Sequence, residues 1–227
     1  MTQWSLESEL CNISGESGLL PSLFSLGFLT AADQLIDVRV EKDWYRSGAE
    51  SYLLKFVVET SRGLSTAILK AYTPSNLHGD LNARFCEITN RRIFLANNGI
   101  LTPRLFAARK GVWIEEWLEK SITESLQEIN GNEILGKRMA IELRNIAAVL
   151  DMNGFLARSI YEDLRVKNDL PYMIDFGEDL GAMSVSADPR YNQNRLLEWL
   201  KIDYPVLHAL CNDVPAQVIS YGRSNPL

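Results

Sequence analysis

The hydrophobic periodicity of this 227-residue chain switches partway along from a two-residue to a helical spacing, which limits the folds open to it. Three β-rich segments, 35–41, 52–59 and 65–72, come first. A polar insert containing Gly63 separates the last two, which is typical of a hairpin turn. After residue 119 apolar side chains recur at helical spacing. The sequence therefore predicts an α+β fold that begins with three consecutive antiparallel strands.

Turn and cap residues extend this prediction to the end of the first half. Asp80 can cap a helix, and Gly99 stands where that helix should end. Pro103 begins an extended segment over 105–108, and a Lys-Gly turn signal then precedes the strand 112–115. The order predicted for the first half is therefore β-β-β-α-β-β.

The second half is predicted to be mainly helical. A short helix is expected over 123–129, and a longer one begins after the cap residue Asn132 and ends at Gly154. Apolar side chains spaced by four, four, three and four residues form one face of the longer helix: Leu135, Met139, Leu143, Ile146 and Leu150. We predict an irregular stretch over 155–165, a short strand over 172–174, and a last helix over 192–211 that bends at a proline.

These patterns divide the chain into three predicted regions. Residues 1–34 are expected to form a helical or irregular extension, 35–118 a β-rich N-terminal lobe, and 119–227 a minimal helical C-terminal lobe. Net charge is −6, from 23 basic and 29 acidic residues, so a nucleic-acid-binding protein is not expected. No apolar run approaches the ~20 residues of a membrane span. Acidic residues precede the apolar stretch 18–32, where a secretory signal would carry basic ones, so we expect a cytoplasmic protein.

Three polar residues follow one another in an informative order. Lys70 ends the apolar strand Ala-Ile-Leu-Lys, Glu87 lies on the next helix, and Asp175 opens an Asp-Phe-Gly tripeptide after an apolar strand. In this order the sequence resembles the protein-kinase-like superfold, which includes protein kinases and the aminoglycoside and choline phosphotransferases. Segments 98–104 and 114–118 resemble the helix-to-strand connection and the interlobe hinge of aminoglycoside phosphotransferases. The resemblance covers 35–177 and implies a two-lobed fold, with one helix in the β-rich lobe.

The resemblance also implies roles in binding ATP and Mg²⁺. Lys70 would hold the α- and β-phosphates, Glu87 would fix its ammonium, and Asp175 would bind the metal. Ile68 would lie near the adenine ring, and the backbone from Glu116 to Leu118 would pair with it. The hairpin 46–51, with the single glycine Gly48, falls where a phosphate-covering loop would be.

The chain departs from the family at the catalytic loop. The family motif is His-Arg-Asp or His-Gly-Asp, followed by an asparagine. Aligning Arg158 with the motif's arginine puts Ser159 at the catalytic aspartate and, with one residue deleted, Asp163 at the metal-binding asparagine. Aspartate is a competent Mg²⁺ ligand, so Asp163 and Asp175 form the implied metal pair. A serine hydroxyl is not a usable base near neutral pH, so Glu162 or Asp163 would have to supply the carboxylate.

Three interpretations remain open. The chain is an atypical kinase that transfers the γ-phosphate of Mg-ATP to a hydroxyl of an unidentified protein or small molecule. Alternatively it is a pseudokinase that binds nucleotide or a partner protein without catalysis, or an unrelated α+β protein in which Lys70 and Asp175 are incidental. We favour the first, because a chain without catalysis has no evident need for both residues, and phosphoryl transfer depends mainly on placed charge.

Overall fold

The computed structural model describes much of the chain, in these ranges: 21, 23–40, 51–60, 63–72, 80–109, 111–129, 132–158, 160–177, 180–182 and 188–213. The chain divides into two compact units. The first comprises Met1–Glu87 and Pro103–Trp117, and the second comprises Ile88–Thr102 and Leu118–Leu227.

A five-stranded sheet forms the frame of the first unit. Its strands are β1 (Gln34–Val40), β2 (Ser51–Thr60), β3 (Gly63–Tyr72), β4 (Leu105–Arg109) and β5 (Val112–Glu116). Their order across the sheet is β1-β2-β3-β5-β4, and every neighbouring pair is antiparallel. The three consecutive antiparallel strands and the two later ones are thus as predicted.

One face of this sheet carries the hydrophobic core of the unit. Because successive side chains of a strand point to opposite faces, alternate residues are buried together. Those buried on this face are Leu54, Phe56, Val58, Ala67, Leu69, Ala71 and Ile114, and they pack with Leu23 and Leu29. The ring of Phe28 meets Phe56 and Phe106 edge-on, at centroid distances of 5.6 and 5.4 Å. Each fully buried Leu or Phe here stabilises the fold by about 1.5–3 kcal/mol.

The helix α1 (Leu81–Asn97) has the two ends that the sequence predicts. At its start, the Asp80 carboxylate accepts a hydrogen bond of 2.9 Å from the Asn82 amide. At its end, Gly99 has a φ of 91°, a conformation that favours glycine. Residues of α1 up to Glu87 are grouped with the first unit, and the rest with the second.

The described part of the second unit contains four further helices: α2 (Ile122–Ile129), α3 (Glu133–Met152), α4 (Tyr191–Asp203) and α5 (Pro205–Asp213). Asn132 caps α3 by accepting a hydrogen bond from the Leu135 amide at 3.1 Å, as predicted. The predicted apolar face is also confirmed: Leu135 is half-buried, and its other four members, which are Met139, Leu143, Ile146 and Leu150, are fully buried. None of the described helices has both the length and the apolar character needed to cross a bilayer.

The single bent helix predicted over 192–211 is instead two helices. The break falls at Tyr204, whose φ of −140° is not helical. Pro205 begins α5, because a proline has no N–H to donate and its ring obstructs a continuing helix, whereas the first position of a new helix accepts it.

Short strands of the second unit form two small sheets. They are β6 (Lys120–Ser121), β7 (Phe155–Ala157), β8 (Leu164–Lys167), β9 (Leu170–Met173) and β10 (Leu180–Ala182), paired as β6-β8-β9 and β10-β7, all antiparallel. The prediction that 155–165 is irregular was therefore wrong at β7 and at the start of β8. The predicted strand 172–174 begins two residues earlier, at Leu170. Strands of three or four residues are too short to show a clear period in sequence.

Candidate functional site

Lys70 lies on β3, on the face of the five-stranded sheet opposite the hydrophobic core. In the register of β3 with β5, Lys70 pairs with Trp113 and Ile68 pairs with Glu115. Because side chains alternate along a strand, these four point to the same side. Their neighbour Leu69 points the other way, into the core. The sheet thus presents an apolar face to its core and a face with charged groups on its other side.

A buried ion pair fixes the lysine. The ammonium of Lys70 is 2.6 Å from a carboxylate oxygen of Glu115, and the two side chains are 9% and 1% exposed. Buried charges are tolerated in proteins when they are paired, because each alone carries a large desolvation penalty. The sequence singled out Glu87 as the carboxylate beside Lys70 and missed Glu115. One signal was available: Glu115 lies two residues after Trp113 in β5, so the two side chains point to the same face of the sheet, whereas Glu116 points to the other.

The first half of α1 packs on this same face of the sheet. The rings of Phe85 and Trp113 meet at a steep angle, with centroids 6.2 Å apart. Glu87 lies two residues further along α1 and is half-buried, and its assignment to Lys70 stays a prediction. The ammonium of Lys55 lies 4.5 Å from the ring centre of Trp117. Lys55 pairs with Ile68 across β2 and β3, so a second cation is on the Lys70 side.

The predicted hinge residues are engaged in the protein's own hydrogen bonds. The Glu116 amide donates to the Arg104 carbonyl at 2.9 Å, and the Trp117 amide donates to the Thr66 carbonyl at 3.3 Å. Ile68 and Leu118, the other residues predicted to contact adenine, are both buried. The backbone amides of Glu116 and Trp117 are thus both engaged by carbonyls of the first unit.

Asp175 follows β9 in a tightly held turn of the second unit. One of its carboxylate oxygens accepts a hydrogen bond from the Gly177 amide at 2.9 Å. The Arg91 guanidinium on α1 donates to the carbonyl of Gly177 at 2.7 Å and to that of Phe176 at 3.5 Å. The Phe176 ring is completely buried, and the Arg92 guanidinium lies 6.0 Å from its centre. Two arginines of one helix thus hold the Asp-Phe-Gly turn, a role that the sequence did not suggest.

The predicted metal pair is held on adjacent backbone segments. Asp163 is buried and directly precedes β8, in the loop that follows β7. Its backbone carbonyl accepts a hydrogen bond of 2.8 Å from the Ile174 amide. Ile174 directly precedes Asp175, so the backbone brings the two aspartates into neighbouring positions. Glu162 is exposed in the same loop. Ser159 and Gly48 lie outside the described residues, so their predicted roles stay predictions.

A buried polar network holds the start of that loop. The Asn192 side chain is fully buried, and its oxygen accepts a hydrogen bond from the Ala157 amide at 2.9 Å. Its amide nitrogen donates to the Asp151 carboxylate and to the Phe155 carbonyl, each at 2.7 Å. Asp151 also accepts from the backbone amides of Asn192 and Gln193, so it caps the first turn of α4 from another helix. The sequence did not reveal this network.

The donor chemistry of the two aspartates suits magnesium. Mg²⁺ prefers hard oxygen ligands in octahedral geometry and is usually bound in proteins by one or two carboxylates, with water and phosphate oxygens completing its shell. Asp175 keeps one carboxylate oxygen beyond the one that Gly177 engages. Within the described ranges, no group of three or more His, Cys, Asp or Glu side chains is arranged to hold a metal ion. The binding of magnesium by Asp163 and Asp175 stays a prediction.

No protein-family model matches the chain, and no curated protein matches it significantly.

Proposed function

We propose that this chain is an atypical kinase-like phosphotransferase that moves the γ-phosphate of Mg-ATP to a hydroxyl of a protein or small-molecule acceptor. The observation that carries the proposal is the buried ion pair of Lys70 with Glu115. A lysine at the end of a strand is ordinarily a solvated residue, and burying its charge is costly. Protein kinases place a lysine that contacts the ATP phosphates on β3 and pair it with a glutamate of a helix, whereas the carboxylate that pairs with Lys70 here belongs to strand β5.

The order of elements supports the finer proposal of a two-lobed protein-kinase-like fold. Lys70 is on the third of the described strands, Glu87 is on the helix that follows, and Asp175 comes directly after β9. The same succession of strand lysine, helix glutamate and Asp-Phe-Gly forms part of the protein-kinase signature. Three matches in the right order are harder to obtain by chance than any one of them.

In this proposal each charged group has one task. Lys70 binds phosphate oxygens, with Lys55 as a second positive charge on the same sheet face, and Asp163 and Asp175 hold magnesium. The metal, when bound, neutralises the charge that develops on the β- and γ-phosphate oxygens. The exposed carboxylate of Glu162 is the side chain of the loop best able to accept the proton of an acceptor hydroxyl.

Calorimetric titration with Mg-ATP tests the binding step. Lys70→Met combined with Glu115→Leu removes the ammonium together with its paired carboxylate, and Lys201→Met, at an exposed position of α4, is the matched control. We expect the double variant to bind Mg-ATP about tenfold or more weakly, since charge-assisted hydrogen bonds are worth about 1.5–3 kcal/mol, and the control to bind normally. Asp175→Asn should weaken binding only when Mg²⁺ is present. Absence of Mg-ATP binding by the wild type contradicts the proposal.

Transfer of radiolabelled phosphate to candidate acceptors tests the chemical step. We expect Asp175→Asn to abolish transfer and Glu162→Gln to reduce it by about 10²–10⁴-fold, the usual contribution of a general base. Ser159 at the position of the catalytic aspartate favours the alternative, a pseudokinase that binds nucleotide or a partner protein without catalysis. Mg-ATP binding without transfer to any acceptor, including water, supports that alternative over the enzyme.

A further inference from the structure

Two cavities of the second unit share a pair of residues. The first, of about 760 Å³, lies among α2, α3 and α5 and has a mainly apolar wall that includes Leu126, Ile129, Val206, Leu207 and Leu210. The second, of about 580 Å³, has a more polar wall of Thr123, Gln127, Tyr161 and Trp199. Asp203 and Tyr204, at the junction of α4 and α5, line both. The apolar cavity and the more polar cavity are therefore adjacent to each other at the carboxylate of Asp203.

Three aromatic rings form part of the wall of the second cavity. Tyr161 stacks on Trp199 with ring centres 5.1 Å apart, and Tyr204 meets Trp199 edge-on at 5.5 Å. The Tyr204 hydroxyl donates to the Thr123 carbonyl at 3.5 Å, which ties the ring to α2. Burial raises the pKa of Tyr204, the bond to Thr123 opposes that rise, and the negative charge of Asp203 adds to it. The carboxylate of Asp203 thus acts electrostatically on the Tyr204 hydroxyl.

The charge at the cavities is negative. Asp203 lines both of them, and Glu133 lines the apolar one, where it pairs with Lys137 of the next turn. No lysine, arginine or histidine belongs to the lining of either cavity within the part of the chain that the structure describes. Aromatic faces and carboxylates both attract organic cations and disfavour anions.

We propose that these cavities bind an organic cation that carries an alkyl chain. Its ammonium head lies at Asp203 and the rings of Tyr161, Trp199 and Tyr204, and its chain occupies the apolar cavity beside Leu207 and Leu210. Each methylene buried there tightens binding by about fourfold, so head and chain both contribute to affinity. The proposal does not depend on nucleotide binding, since none of its residues is assigned to ATP or magnesium.

Isothermal titration with decyltrimethylammonium, kept below its critical micelle concentration, tests the proposal. Two probes separate the parts of the ligand: tetramethylammonium has the head without the chain, and decyl sulfate has the chain with an anionic head. We expect decyltrimethylammonium to bind one per chain, and each of the other two to bind about tenfold or more weakly.

Asp203→Asn removes the charge while keeping the shape of the side chain. Because Asp203 is exposed, we expect this change to weaken decyltrimethylammonium binding by about two- to fivefold. Glu198→Gln, at an exposed carboxylate of α4 that lines neither cavity, is the matched control and should bind as the wild type does. The proposal is overturned if decyl sulfate binds as tightly as the cation, if both substitutions have the same effect, or if decyltrimethylammonium does not bind.

Discussion

Replacing Lys70 by methionine leaves the Glu115 carboxylate charged and almost completely buried. Breaking a buried ion pair in this way costs about 3–5 kcal/mol of folding free energy, because the remaining charge is uncompensated. Both partners here are at least nine-tenths buried and 2.6 Å apart, so solvent screens the interaction little. We therefore expect Lys70→Met and Glu115→Leu each to lower the free energy of unfolding by an amount in this range.

The double variant separates this explanation from a simple loss of contacts. With both charges gone, the desolvation penalty of this pair is removed, and a well-packed apolar replacement of a buried pair is often neutral or stabilising. We expect the double variant to be more stable than either single variant. The coupling free energy between the two sites should then exceed about 3 kcal/mol, well above the ~0.5 kcal/mol within which independent sites add.

Urea denaturation followed by circular dichroism measures these differences. With m-values of about 1–3 kcal/mol/M, each single substitution should move the midpoint by about 1 M or more. The chain contains its own control in Lys137 and Glu133 on α3, an exposed ion pair with a comparable separation of 2.5 Å. Exposed pairs are screened and gain little, so Lys137→Met and Glu133→Leu should leave the midpoint unchanged. Equal effects for the two pairs, or additive effects at Lys70 and Glu115, would refute the reasoning.

Three further predictions concern single residues. Asp169 has a φ of 59° in the turn between β8 and β9, so Asp169→Gly should raise the free energy of unfolding by about 0.5–1 kcal/mol; a lower melting temperature would contradict this. A Cβ on Gly136 would meet only the end of the Leu210 side chain at 3.0 Å. Leu210 borders the apolar cavity and can yield, so we expect Gly136→Ala to stabilise α3 by up to about 1 kcal/mol in thermal denaturation. Burial raises the pKa of Cys211 to about 11, so peptide mapping after iodoacetamide treatment at pH 8 should find the exposed Cys86 modified and Cys211 protected. Because the unfolded thiol ionises at lower pH, this burial also makes the native state lose stability as pH rises from about 9 towards 11.

Local signals account for most of the fold that the sequence predicted. The ends of α1 and α3 depend on side chains next to the helix itself, Asp80 and Asn132, whose hydrogen bonds span two or three residues. Such contacts join residues that are close together in the sequence, so a short sequence pattern is enough to predict them. The hairpin strands β2 and β3 are equally local, because they are joined by a short turn and share one alternating pattern.

Features that depend on distant residues escaped prediction. The strand β7 pairs with β10, more than twenty residues later, and neither is long enough to show a period. The pairing of Lys70 with Glu115 depends on the register of β3 with β5, which places the two residues on one face. Before that register is known, any acidic residue near the first unit's strands is an equal candidate. The role of Arg91 could not be predicted either, because its partners are backbone carbonyls. Every residue has such a carbonyl, so the sequence does not single out these two.

The two charged groups that the proposed phosphotransfer requires are held in different ways. Lys70 is fixed by a carboxylate of its own unit, whereas Asp175 is fixed by amide and guanidinium hydrogen bonds within the other. Changes at Glu115 and at Arg91 share none of these contacts, so their effects on Mg-ATP affinity should add in free energy. A large departure from additivity would show that the two anchors are coupled through the chain, and would make α1, which carries Arg91, the element to examine first.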